Sequence, residues 1–127
     1  MTEKISETLE HYLGTIRSLE ASKGSVRSTD IASVLGVSRP SVHAAVDRLS
    51  RMGLVRHDRY SRVSLTVSGR SSAEEILERR SMARRLLEDI PRRNPEIRRA
   101  EVCAIEHLSR ETLSALVERM DTRPESV

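Results

Sequence analysis

Residues 28–55 read STDIASVLGVSRPSVHAAVDRLSRMGLV, and the punctuation of that stretch decides the fold. Ser28 or Thr29 offers a helix cap ahead of Ile31, Ala32 and Leu35, which fall on one side of a short helix. Gly36-Val37-Ser38 breaks that helix, with glycine where a positive φ is tolerated. Arg39-Pro40 opens a second helix, since proline in a first turn gives up an N–H that has no partner there. Val42, Ala45, Val46, Leu49 and Met52 form its apolar stripe, and Gly53 ends it. From Leu54 the period shifts from about 3.6 toward about 2. Leu54–His57, a polar tip Asp58-Arg59-Tyr60-Ser61, and Arg62–Thr66 read as a short β-hairpin. Two short helices across a glycine turn, followed by a two-stranded hairpin, make a winged helix-turn-helix.

Working outward, residues 3–22 set Ile5, Leu9, Tyr12, Leu13, Ile16 and Leu19 at spacings of a helix that ends near Gly24. Downstream, Thr66 to Gly69 leads into a long helix over about 70–90, with Ile76, Leu77, Met82, Ala83, Leu86, Leu87 and Ile90 inside and Pro91 as its stop. PRRNP (91–95) is a linker between two prolines. A last amphipathic helix is expected from about 100 to 120 through Val102, Ile105, Leu108, Leu113, Leu116 and Met120, and the closing DTRPESV is expected to fray. The fold class is therefore mainly α. A winged helix-turn-helix domain over 1–69 precedes a helical domain over 70–127.

Composition narrows the function. The 127 residues carry 22 Lys+Arg against 19 Asp+Glu, a mild +3 that hides a strong asymmetry. Residues 25–70 hold eight arginines (27, 39, 48, 51, 56, 59, 62, 70) and three acids (30, 47, 58), a net +5 that leaves the remainder at −2. A basic module on an acidic remainder is the footprint of a chain that docks on phosphates, although a solvated arginine-rich surface produces the same count. Two tyrosines are the only Phe, Trp or Tyr residues, which argues against single-strand recognition by base stacking. No apolar run approaches the roughly 20 residues that span a bilayer, and MTEKISETLE lacks a signal-peptide core, so a cytoplasmic protein without membrane partners is expected. A lone Cys103 makes no internal disulfide; it is a packed thiol, a metal ligand or a reactive group.

Two constellations carry chemistry. The second helix of a helix-turn-helix fits the major groove and reads base edges with its N-terminal side chains, here Ser38, Arg39, Pro40, Ser41 and His43. Arg39 suits bidentate readout of a guanine. Ser28, Thr29 and Arg48 suit phosphates, and Arg59, Tyr60 and Arg62 at the wing tip suit the minor groove or backbone. A winged helix that docks on protein is the competing reading. On the terminal helix, Cys103, Glu106 and His107 stand at i, i+3 and i+4 and project from one face. Thiolate, carboxylate and imidazole form a ligand set for Fe, Mn, Co or Zn, though a buried cysteine beside a Glu-His surface pair is also common. Three ligands leave the sphere incomplete, and His11, beside the apolar Tyr12, is a candidate fourth.

TLEHYLGTIRSLE (8–20), the helix-turn-helix itself, VSLTVSGR (63–70), RRLLEDI (84–90) and EVCAIEHLS (101–109) together resemble the DtxR/MntR family of metal-dependent transcriptional repressors over nearly the full chain. The resemblance implies an N-terminal DNA-binding domain, a helical dimerisation domain and a metal held between them, one per subunit. In the family's iron-responsive branch the primary site is a Cys-x-x-Glu-His, matching Cys103, Glu106 and His107, plus a methionine whose place His11 takes. The manganese branch has Asp there. The family's second site maps onto Arg80, Arg84 and Arg99, and guanidinium groups do not bind metal near neutral pH. The binuclear manganese arrangement also wants Glu where Gly14 stands. The ancillary metal is therefore expected to be lost, with arginines pairing to carboxylates such as Glu106 or Glu10. The family's SH3-like third domain is expected to be absent as well.

The mechanism so implied is linkage. An ion joining the first and terminal helices favours the arrangement in which two recognition helices of a homodimer match a palindromic double-stranded operator. Leu86, Leu87, Ile90, Leu113, Leu116 and Val117 are candidate dimer contacts, some of which must line the core. Fe2+ is favoured over Mn2+, with Co2+ or Zn2+ possible in vitro, because a thiolate suits manganese least. Two other readings stand beside it. One is a metal-independent winged-helix regulator with a structural His/Cys/Glu cluster. The other is a hydrolase using Cys103 and His107, which lacks an oxyanion loop and an orienting acid. No small organic substrate is expected.

Overall fold

Ser6 starts the first helix by accepting a 3.3 Å hydrogen bond from the Leu9 amide, and α1 runs Glu7–Lys23 until Gly24 turns the chain at φ 80°. The computed structural model describes residues 5–58, 62–88 and 95–121, and the chain divides into two compact units, Met1–Glu74 and Glu75–Val127.

In the first unit, β1 (Val26–Arg27) leads directly into α2 (Ser28–Leu35). Neither Ser28 nor Thr29 is the cap, contrary to the sequence expectation. Arg27 occupies that position with extended backbone, and its amide donates to Asp30 Oδ2 at 2.9 Å, three residues into the helix. Lys23 Nζ holds the other oxygen at 2.6 Å. Together these two donors hold the Asp30 carboxyl below its ordinary range, the Lys23 bond being the larger cause. Gly36, left-handed at φ 65°, closes α2. Ser38 then caps α3 (Arg39–Arg51), whose side chains Val42, Val46 and Leu49 are completely buried with Leu13, Ile16 and Ile31. Ala32 and Leu35, expected inside, are half-buried.

The hairpin forms as expected from β2 (Val55–His57) and β3 (Arg62–Leu65), antiparallel with Val55 opposite Leu65 and His57 opposite Val63. The sheet has a third strand that the sequence reading missed. β1 pairs with β3 in the order β1-β3-β2, with Val26 opposite Val63. Its two residues are too few to display an alternating pattern.

A cluster of polar contacts then fixes where the wing becomes the long helix α4 (Val67–Leu87), which begins three residues earlier than expected. Thr66 Oγ1 accepts from the Gly69 amide at 3.0 Å and donates to the Gly53 carbonyl at 2.7 Å, while the Thr66 amide reaches the Leu54 carbonyl. Gly69 lies so close to that carbonyl that a Cβ there would fall 1.7 Å from its oxygen. Glu20, on α1, accepts from the Leu65 amide at 3.0 Å and from Arg70 at 3.3 Å, so one carboxylate ties α1, β3 and α4.

The second unit contains the rest of α4, α5 (Pro95–Glu106) and α6 (Arg110–Asp121). The single helix expected over about 100–120 is two. The Ile105 carbonyl accepts from the Leu108 amide as α5 ends, and Ser109 Oγ caps α6 by accepting from the Thr112 amide at 3.1 Å. Ala83 and Leu87 of α4 pack with Val102 and Ile105 of α5. α6 is tied to α4 by Arg110–Glu78 at 3.0 Å and by Arg85–Asp121. Leu87 and Leu113 are buried within this fold and so belong to the core rather than to the expected dimer face. Leu86 and Val117 are half-buried, Leu116 is exposed, and Ile90 lies outside the described residues.

Two outcomes are expected. Gly69→Ala forces a methyl into the Leu54 carbonyl and should cost about 3 kcal/mol in urea unfolding. Asp30 titrates below its unfolded value, so its stabilisation is full above about pH 4 and fades as pH falls through the folded value. Thermal unfolding of Asp30→Asn should therefore start below wild type at neutral pH and converge with it under acid.

Candidate metal centre and nucleic-acid interface

The recognition helix begins with a hydroxyl pair. Ser38 Oγ accepts from the Ser41 amide at 3.3 Å, and the two serine hydroxyls are 2.9 Å apart. Arg39, Pro40, Ser41 and His43 all project from the first turns of α3 into solvent. Arg39, Pro40 and His43 share one concave face with Ser28 and Thr29 from the start of α2, so the amino ends of both helices open toward the same surface. Helix amino ends attract phosphate through unpaired amides and the helix dipole. Arg48 lies on the adjoining recess with Arg51. Arg62 is exposed on β3, where its amide donates to Asp58 Oδ1 at 3.0 Å. Arg59 and Tyr60 lie outside the described residues.

Three further residues belong to this face or brace it. Ala44 and Asp47 line the same recess, and Asp47 pairs with Arg51 at 2.8 Å one turn along. Ala44 stands four residues after Pro40 and Asp47 four after His43, and that helical spacing was the available signal. His57, on β2, sets its ring against His43 edge-on, with centroids 5.5 Å apart and planes at 71°. Its Nε2 is buried with no hydrogen-bond partner among the described residues. Nothing in sequence spacing points to that contact.

In the second unit the last turn of α5 gathers the thiol, carboxylate and imidazole. Cys103 Sγ lies 3.9 Å from His107 Nε2, and Glu106 Oε1 lies 3.7 Å from the same nitrogen. The three donor atoms fall within 4.8 Å of one another. A tetrahedral ion with bonds of about 2.0–2.3 Å spaces its ligands by about 3.3–3.8 Å, so this donor set fits a transition metal after only small adjustment. Glu106 is 4% exposed. Its Oε2 accepts from Arg80 Nε of α4 at 3.0 Å, the carboxylate pairing expected of an arginine in that position. Arg84 and Arg99 are exposed. His11 is a half-buried residue of α1 in the first unit, and Gly14 is buried on the same helix. Tyr12 beside it is buried, which raises its phenol above the ordinary range and keeps it neutral.

A helix-turn-helix with a three-stranded wing, followed by a helical unit bearing a soft-donor cluster, defines a winged-helix protein equipped for a metal. Comparison with known proteins narrows the class. Residues 4–63 match the family model described as "Iron dependent repressor, N-terminal DNA binding domain". The chain is similar to the transcriptional regulator MntR of Escherichia coli O157:H7, 36% identical over 110 residues, covering 86% of this chain and 70% of that protein. It is also similar to the iron-dependent repressor IdeR of Mycobacterium tuberculosis, 31% identical over 121 residues, covering 95% of this chain and 53% of that protein. Among solved structures, T. acidophilum IdeR superposes with a TM-score of 0.75 at 27% identity, over 94% of this chain and 56% of that one. This chain belongs to the DtxR/MntR family of metal-dependent transcriptional regulators, DNA-binding proteins and not enzymes. A divalent metal cofactor and DNA binding follow from that membership.

Arg39→Ala should weaken duplex binding by about 1–3 kcal/mol and relax discrimination at one base position. Arg48→Ala should weaken all sequences alike and lower the salt slope by about 1, which a titration of affinity against salt separates.

Proposed function

We propose that this chain is a metal-dependent repressor of metal-ion homeostasis genes, working in the cytoplasm as a homodimer on a palindromic operator. The observation that carries the reading is the Cys103, Glu106 and His107 cluster at the end of α5, in a chain of this family with an exposed recognition helix. We assign His11 as the fourth ligand, one ion per subunit. The proposed domains are then a DNA-reading 1–69 and a metal-binding, dimerising 70–127. The division Met1–Glu74 and Glu75–Val127 falls inside α4, five residues beyond that boundary.

The chain's own groups would act as follows. Cys103 must lose its proton to bind, and His107 must present a neutral imidazole, so metal uptake releases protons and strengthens with pH. Glu106 would supply an oxygen from a buried carboxylate. His11, Cys103, Glu106 and His107 would hold the ion, which would supply positive charge there, and binding that prefers one arrangement would shift the population toward it. The donor set, two imidazoles with a thiolate and a carboxylate, favours Fe2+ over Mn2+, with Co2+ or Zn2+ as in vitro substitutes. Arg80, Arg84 and Arg99 leave no second metal site.

One observation favours a second reading. Arg80 already neutralises Glu106, so the cluster stands without an ion, as a metal-independent regulator would require.

An operator-binding titration with Fe2+, Mn2+, Co2+ and Zn2+ decides between them. On the proposed reading, affinity rises at least about tenfold with metal, and Cys103→Ala and His11→Ala lose that gain while retaining the weak metal-free binding. Affinity indifferent to metal and to chelator establishes the second reading instead.

A further inference from the structure

We propose that His57 is a positioning residue that holds the His43 imidazole in one orientation and thereby sets base preference at the step His43 meets; this rests on the DNA-reading role of α3 above. His43 projects into solvent from the first turns of α3 and shares a recess with Arg39 and Pro40. It stands four residues, about 6 Å, along the helix from Arg39, while base pairs stack about 3.4 Å apart, so the two side chains reach different base pairs. An imidazole N–H in the major groove suits the N7 acceptor of a purine, and a single hydrogen bond of that kind discriminates well only if the ring is already aimed. α3 alone does not aim it, because an exposed histidine ring turns about two side-chain bonds.

The sheet supplies what α3 lacks. The His43 and His57 rings meet edge-on, with centroids 5.5 Å apart and planes at 71°, the arrangement that aromatic pairs prefer. His57 is itself held by strand pairing, since β2 runs antiparallel to β3 and His57 stands opposite Val63, which is 2% exposed. The abutment is therefore fixed from the sheet and not from the recognition helix. What His57 contributes is also defined. Its Nε2 is buried with no hydrogen-bond partner among the described residues, a cost that a residue kept for stability alone would avoid. A flat ring against His43, and not a hydrogen bond through that nitrogen, is the contribution.

The test uses the full chain and a pool of duplexes randomised over about 25 base pairs, selected with Co2+ and again with chelator, then sequenced. His43→Ala identifies the base pair at which His43 acts, where wild type is expected to prefer a purine by about tenfold. Competition between duplexes that differ only there gives the preference as a ratio of affinities. His57→Ala should lower that ratio about threefold, and should change it no further when residue 43 is already alanine, the non-additivity of two residues that act as a unit. His57→Phe keeps a flat ring and should retain the wild-type ratio. A merely structural role predicts otherwise, since losing it lowers affinity for both duplexes alike and leaves the ratio unmoved. His57→Leu fills the space without a flat ring; it replaces His57→Ala if the alanine variant does not fold, and it too should lower the ratio. A ratio unmoved in the folded alanine or leucine variant, or lost in His57→Phe, overturns the proposal and leaves operator binding intact. A His43→Ala variant that loses no base preference does the same. Wild type that enriches no sequence, with or without metal, overturns the DNA-reading role as well.

Discussion

A carboxylate that is 4% exposed imposes a constraint on everything around it. Stripped of water and left alone, an ionised Glu106 would cost several kcal/mol, and removing one partner of such a buried pair typically destabilises by about 3–5 kcal/mol. Arg80 offsets that cost through one oxygen, and the Cys103 and His107 donors stand beside the other. The backbone adds to this. The cluster occupies the last turn of α5, where the negative end of the helix dipole favours a positive charge. Carboxylate, sulfur, imidazole and helix end all favour a cation at one place, and Arg80 brings a guanidinium to it.

The first unit solves a different problem. A reading head needs its exposed side chains on a scaffold that does not rearrange, and here the scaffold is stitched by backbone-directed contacts. Glu20 joins α1 to β3 and to Arg70, and Thr66 bridges the Gly53 carbonyl and the Gly69 amide. Asp30 pins β1 to the start of α2 and draws Lys23 onto the same carboxylate. These bonds use side chains that point inward or along the backbone, which leaves Arg39, Pro40, Ser41 and His43 in solvent. Asp47 is an acid on the same recess, which Arg39 also lines. Its partner Arg51 keeps that acid from standing as an uncompensated repulsion toward phosphate.

The helix-turn-helix was legible because Gly36, Pro40 and Gly53 punctuate it and the apolar stripes between them have one period. The hairpin was legible from the change of period at Leu54. What escaped was short or long-range. β1 has two residues, and the cap of α2 depends on Asp30 folding back onto Arg27 rather than on the hydroxyls next to it. The break between α5 and α6 left a faint trace, since the apolar spacing slips from three to five residues between Leu108 and Leu113 and Ser109 stands in the gap. The Cys103, Glu106 and His107 cluster could be read because i, i+3 and i+4 are local geometry. Glu106 was one of the two carboxylates named for these arginines, and the packing of α4 on α5 is what brings it to Arg80. His57 against His43 had no local signal at all, as it joins a strand to a helix through tertiary packing.

The Arg80 pair also bears on what kind of metal protein this can be. Where a buried ligand set has no internal counter-charge, the metal-free chain unfolds and metal binding becomes folding. Here Arg80 already pairs with the buried acid of the cluster, and the core of Ala83, Leu87 and Val102 is built from side chains outside the ligand set. Binding energy is then left over for choosing between arrangements. At a free metal concentration a hundred times the dissociation constant, one site contributes about 2.7 kcal/mol toward whichever state binds it, a population shift of about a hundredfold. That is ample for a repressor switch and too little to hold an otherwise unfolded domain. A chain built to sense a metal, as opposed to one built around it, needs its ligands buried and its metal-free state stable together, and an arginine on the neighbouring helix meets both requirements with one side chain.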